Sequence, residues 1–102
     1  MSHDEIITNN VKEEFDAFKK EQISKMPITI FENAGKIHFY KEIFTYISNN
    51  NLQDIFSNND LKRLVNCKNK LIWLLYEEFL SKERLSITNW EMIQEIFESF
   101  LE

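Results

Sequence analysis

The sequence predicts an all-α fold: residues 1–102 as a single helical domain, one compact bundle of about five helices. Three observations carry this. Apolar residues recur at helical spacing along most of the chain. One Gly and one Pro in 102 residues leave few places for the chain to break. No segment shows the period-two alternation of a half-buried strand. Hydrophobic residues make up 43% of the chain and nine are Phe, which supports a real core and exceeds the aromatic content of a disordered chain.

The first helix is expected from about Asp4 to Lys25. Ile7, Val11, Phe15, Phe18 and Met26 form one narrow apolar stripe, and Lys12, Glu13, Asp16, Lys19 and Lys20 point elsewhere. Asp4 and Glu5 suit the positive N-terminal end of the helix dipole, and Lys19, Lys20 and Lys25 suit its C-terminal half. Pro27 closes the segment, because the residue before a proline is pushed away from helical geometry.

Thr29-Ile30-Phe31-Glu32 reads as a capping box. The helix that follows runs to about Ser48 and is apolar on most sides, which marks it as central. Gly35 inside it reads as a close-packing point, with a kink as the alternative. Asn49-Asn50-Asn51 ends it. Leu52, Ile55 and Phe56 make a helical turn or two, and Ser57-Asn58-Asn59-Asp60 is a loop that supplies an N-cap. A short helix from Leu61 to Lys68 turns Leu61, Leu64 and Val65 inward, and Asn66 to Asn69 breaks it. A second central helix, apolar nearly all round, spans Lys70 to about Glu83. The first and last helices pack amphipathically over the two central ones.

The last helix, Trp90 to Glu102, opens at a second capping box, Thr88-Asn89-Trp90-Glu91. Its inner face carries Met92, Ile93, Ile96, Phe97 and Phe100, flanked by Trp90 and Leu101. Its outer face carries Glu91, Glu95, Glu98 and Glu102, which fall within about 60° of one another at 100° per residue. No basic residue follows Arg84. Helix stability does not explain the stripe. Like charges four apart repel by a few tenths of a kcal/mol per pair, and acids in a last turn oppose the helix dipole by about 0.3–1 kcal/mol each.

Net charge is −5, unevenly spread. Residues 1–60 hold ten acids and six bases, residues 61–84 three acids and six bases, and residues 85–102 four acids and no base. This balance argues against a nucleic-acid-binding role. The basic segment Lys62, Arg63, Lys68 and Lys70 reads first as a solvated face or as an internal partner for acids.

Other motifs are absent. One Gly cannot build a phosphate loop. His3, His38 and Cys67 have no metal-ligand spacing, so no metal and no cofactor is expected. His38 reads as a partly buried structural residue. Cys67, beside Lys68 and Lys70, is either a small half-buried residue at a helix end or a thiol of lowered pKa. The pairs Glu13-Glu14 and Glu77-Glu78 point about 100° apart on a helix and do not share a site. No catalytic residue stands out, and the chain is not expected to be an enzyme. The start of the chain lacks signal-peptide character and the longest apolar run, Leu71 to Tyr76, is too short to span a bilayer, so a cytoplasmic location without membrane partners is expected.

Phe31-Glu32-Asn33-Ala34, Ile37-His38, Lys41-Glu42-Ile43, Leu75-Tyr76-Glu77-Glu78-Phe79-Leu80 and Glu14-Phe15 ahead of Pro27 resemble an uncharacterised family of short helical bacterial proteins associated with mobile elements and prophages. The resemblance covers about Glu13 to Leu101, and Gly35 departs from it. It implies a small accessory protein and carries no residue roles.

The expected function is therefore a small acidic interaction or regulatory protein without catalysis. Glu91, Glu95, Glu98 and Glu102 would meet a protein partner with a basic surface. A phage or mobile-element inhibitor of a host defence nuclease, anti-CRISPR or anti-restriction, would be a narrower form in which carboxylates imitate phosphates. A helical DNA-binding regulator would instead use Lys62, Arg63, Lys68 and Lys70. Fourteen aromatics also leave a homodimer open.

Overall fold

A computed structural model describes residues 2–25, 33–81 and 90–102. Among these, all regular structure is helical: α1 (His3–Ile23), α2 (Ala34–Asn49), α3 (Leu52–Ile55), α4 (Asn58–Asn66), a 3-10 turn (Lys68–Lys70), α5 (Leu71–Ser81) and α6 (Trp90–Leu101). Among the described residues six α-helices stand where about five were expected, because the turn at Leu52 closes as a helix of its own. Met26 and Pro27, the capping boxes that begin at Thr29 and Thr88, and the expected helix end at Glu83 lie outside the described residues. The radius of gyration, 13.6 Å, is close to the value of about 13 Å for a folded domain of this length.

Side-chain caps set the helix starts. Ser2 accepts from the Glu5 N–H at 3.2 Å, Asn51 from Gln53 at 3.1 Å, and Ser57 from Asp60 at 3.2 Å. Ser57 therefore supplies the cap expected from its loop, and α4 starts three residues before Leu61. At its other end α4 stops at Asn66 with Cys67 as C-cap, and the next residue, Lys68, has a left-handed φ of 53°. A helix commonly ends in that conformation just past its C-cap, and glycine is the usual residue there because it has no Cβ to clash.

One core cluster joins the helices. Ile7, Val11 and Phe18 of α1, Phe39, Ile43 and Ile47 of α2, Leu61 and Leu64 of α4, Leu71, Ile72 and Leu75 of α5, and Ile93, Ile96 and Phe97 of α6 are all buried. Each such side chain contributes roughly 2 kcal/mol relative to exposure. Aromatic contacts knit α1 to α2: Phe18 stacks on Tyr40 at 3.9 Å and Phe15 on Phe44 at 4.7 Å. The Lys36 ammonium lies 5.5–5.9 Å from the rings of Phe18, Tyr40 and Tyr76.

Two expectations are corrected, and a third is extended. The first helix packs over α2 and α5 as expected, and also against α4 and the 3-10 turn. Gly35 is not a close-packing point, since a Cβ built there meets nothing within 4 Å. His38 is exposed rather than partly buried, because the buried side of α2 at that level is taken by Phe39 and Tyr40.

Candidate functional site

All four glutamates of the last helix are exposed, on the side away from the buried Ile93, Ile96 and Phe97. The fold divides them. Glu98 and Glu102 line a cleft of about 600 Å³, with Asp54 of α3 and Asp60 of α4 as further acids. Glu91 and Glu95 lie further up the same helix and do not line it. Four carboxylates, from α3, α4 and the end of α6, thus line one cleft together with Ile55, Phe56, Leu101 and Gln94.

Local chemistry holds each wall. The Asn51 and Ser57 caps start α3 and α4, and place Asp54 and Asp60 in the first turns, where a negative charge suits the helix dipole. Phe56, between the two helices, packs on Phe97 of α6 at 5.1 Å between ring centroids. Arg63 of α4 donates to the backbone carbonyl of Leu101, so a guanidinium answers the negative end of α6. This contact ties the basic segment to the end of the last helix through its backbone. Lys62, Lys68 and Lys70 remain on the exposed surface. Ile55 is 37% exposed, so the cleft combines apolar surface with acidic side chains.

The cleft brings together charge and apolar surface. Among the described residues, no group of three or more His, Cys, Asp or Glu is placed to hold a metal ion. The Cys67 thiol is pushed up by burial, with Arg63 pulling the other way and the Glu14 charge adding to the rise. It is therefore the half-buried residue at a helix end, not an activated nucleophile. Among the described residues, no helix is long and apolar enough to cross a membrane.

Sequence reasoning missed two things. Asp54 and Asp60 belong to the cleft, yet they sit in a stretch that reads only as turns and caps. Glu14 proves to be a buried carboxylate: Oε1 accepts from the Ile72 N–H at 2.7 Å and Oε2 from the Trp73 N–H at 2.8 Å. The acid side chain of α1 caps α5 from 58 positions away along the chain. Its neighbour Glu13 is exposed, so the pair indeed shares no site.

No family model, curated protein or solved structure matches this chain at a significant level.

Proposed function

We propose that the protein is a small non-catalytic binding protein, and that the cleft between α3, α4 and α6 receives a basic, amphipathic segment of a protein partner. The observation that carries this is the convergence of Asp54, Asp60, Glu98 and Glu102 on one cleft with Ile55, Phe56 and Leu101. Four carboxylates brought together at one place raise electrostatic repulsion within the fold. Cations from a partner would relieve it, and the apolar lining would give an aliphatic anchor something to bury. Glu91 and Glu95 extend the same negative field along α6 and would steer the approach. Within this reading, a nuclease with a basic channel is one partner of the right chemistry, as an accessory protein of a mobile element would need.

Binding of an amphipathic Lys/Leu helical peptide tests the surface, followed by amide chemical shifts and by titration at low and high salt. The expected result is shifts centred on Ile55, Phe56 and Leu101, with affinity falling as salt rises. Changing Asp54 and Asp60 to Asn and Glu98 and Glu102 to Gln should weaken binding at least about tenfold, that is by about 1.4 kcal/mol or more. The pair Glu91→Gln and Glu95→Gln should change it less. Equal binding by the cleft variant and the wild type would overturn the reading. Light scattering in parallel separates peptide binding from self-association.

A further inference from the structure

Helix α5 is buried on one side and bare on the other. Leu71, Ile72, Leu75 and Phe79 face the core. Among the described residues, the large apolar side chains left exposed are Ile23, Ile55, Trp73, Leu80 and Trp90. Ile55 belongs to the cleft, Trp90 packs edge-on against Tyr46, and Ile23 ends α1. Trp73 and Leu80, 44% and 48% exposed, share α5. At their spacing they point within about 20° of each other and stand about 10 Å apart along the helix. We propose that this face receives a second copy of the chain, the two α5 helices running antiparallel with Trp73 of each copy against Tyr76 and Leu80 of the other.

The spacing is that of a helix-pairing seam. Trp73, the half-buried Tyr76 and Leu80 follow one another at three and four residues, the pattern by which one helix sets its side chains into the gaps of another. Both aromatic residues are supported from behind. The Trp73 N–H donates to Glu14 at 2.8 Å, which fixes the first turn of α5 on α1. The Tyr76 ring lies 5.2 Å from that of Phe39 and 5.5 Å from the Lys36 ammonium. The face is therefore ordered before anything docks, and little freedom is lost in docking.

Charge selects the occupant. Lys70, at the end of the 3-10 turn, and Glu77 are both exposed and lie on one flank of the seam. One base and one acid give that flank no net sign, so it favours neither a basic nor an acidic partner. It is complementary to itself. In a two-fold antiparallel pair each flank meets its own copy, so Lys70 of one protomer approaches Glu77 of the other, twice over. A parallel pair would set this flank against the opposite one and lose both contacts. Antiparallel packing also opposes the two helix dipoles. The net charge of −5 repels a second copy at long range, and a locally neutral face is where that repulsion is least. One short helix per copy makes a small interface of the transient kind, so association on the order of 100 μM is expected.

Sedimentation velocity of the full chain, from about 5 to about 500 μM to bracket that affinity, tests the face. The expected mass rises with concentration from 12.3 kDa toward twice that value. Trp73→Gln with Leu80→Gln should hold it at 12.3 kDa throughout. Lys70→Glu alone and Glu77→Lys alone should each weaken association about tenfold, because each turns two facing pairs from attraction to repulsion. An equimolar mixture of those two variants should regain wild-type association, because every facing pair is again opposite in sign. Within one helix, side chains three or four residues apart are neighbours and these two are not, so the rescue reports contact between copies. If the Trp73 and Leu80 variant does not fold, the charge variants decide. A wild type that stays monomeric across the range, a dimer indifferent to Trp73 and Leu80, or a mixture no stronger than its components would overturn the proposal.

Discussion

Glu14 and the glutamates at the end of α6 put the same functional group at opposite ends of a helix. Glu14 meets the N-terminus of α5, buried, with an N–H on each oxygen. Glu98 and Glu102 sit in and just after the last turn of α6, exposed, where the dipole is negative and where Arg63 reaches only the backbone. The first carboxylate is electrostatically welcome but hard to solvate. The others are well solvated but electrostatically unwelcome. A structural role suits the first arrangement and a binding role the second, because a fold has no internal use for charges that its own helix repels.

The largest effect should come from breaking the first arrangement. Glu14→Ala leaves the Ile72 and Trp73 N–H groups buried without acceptors and opens a gap between α1 and α5. At pH 6 the loss should be about 3 kcal/mol by urea unfolding, since each orphaned donor costs about 1–3 kcal/mol. A loss under about 0.5 kcal/mol, within the range of ordinary surface changes, would mean that water replaces the carboxylate readily and that the bridge is incidental.

The second arrangement is sharpened by a change of sign within one helix. Glu98→Gln with Glu102→Gln removes two charges from the unfavourable end of α6 and one repulsion at four-residue spacing, and should stabilise by about 1 kcal/mol at low salt. Glu91→Gln removes an acid from the favourable first turn and should destabilise by about 0.3 kcal/mol. Thermal unfolding at two salt concentrations checks both, because the effects shrink together as salt rises. Equal effects at the two ends would show that the dipole is irrelevant here. The same pair of substitutions should weaken peptide binding, so stability and binding would move in opposite directions.

Much of the fold is legible in the sequence because helical periodicity is local. The apolar face of α6, the inward set Leu61, Leu64 and Val65, the Ser57 cap and the break after Asn66 all follow from spacing and residue type. Glu14 was readable in part. The buried positions of α1 run Ile7, Val11, Glu14, Phe18 and Gln22, so an acid occupies a place where the stripe calls for an apolar residue. The 3-10 turn that leads into α5, entered at Cys67, has no side-chain cap of its own. Each anomaly answers the other, but the partnership spans 58 positions and no local rule pairs them. The cleft was half readable for the same reason. Glu98 and Glu102 stand out by periodicity, whereas Asp54 and Asp60 join them only when α3 and α4 dock on α6 through Phe56.

The smallest expected effect concerns the turn that delivers α5 to Glu14. Lys68 holds φ at 53°, where its Cβ is strained and glycine is not. The one glycine of the chain stands instead at Gly35, exposed in the first turn of α2, where a Cβ would meet nothing within 4 Å. Lys68→Gly relieves strain in the folded state but frees the unfolded chain, and the two terms oppose. Relief of left-handed strain is worth about 1 kcal/mol and the added chain entropy takes back part of it, so the net gain should be about 0.5 kcal/mol. Lys68 is exposed and makes no ion pair with a described residue, so little else changes with it. A loss instead of a gain in urea unfolding would mean that the lysine charge next to the start of α5 supports the turn by more than its backbone strain costs.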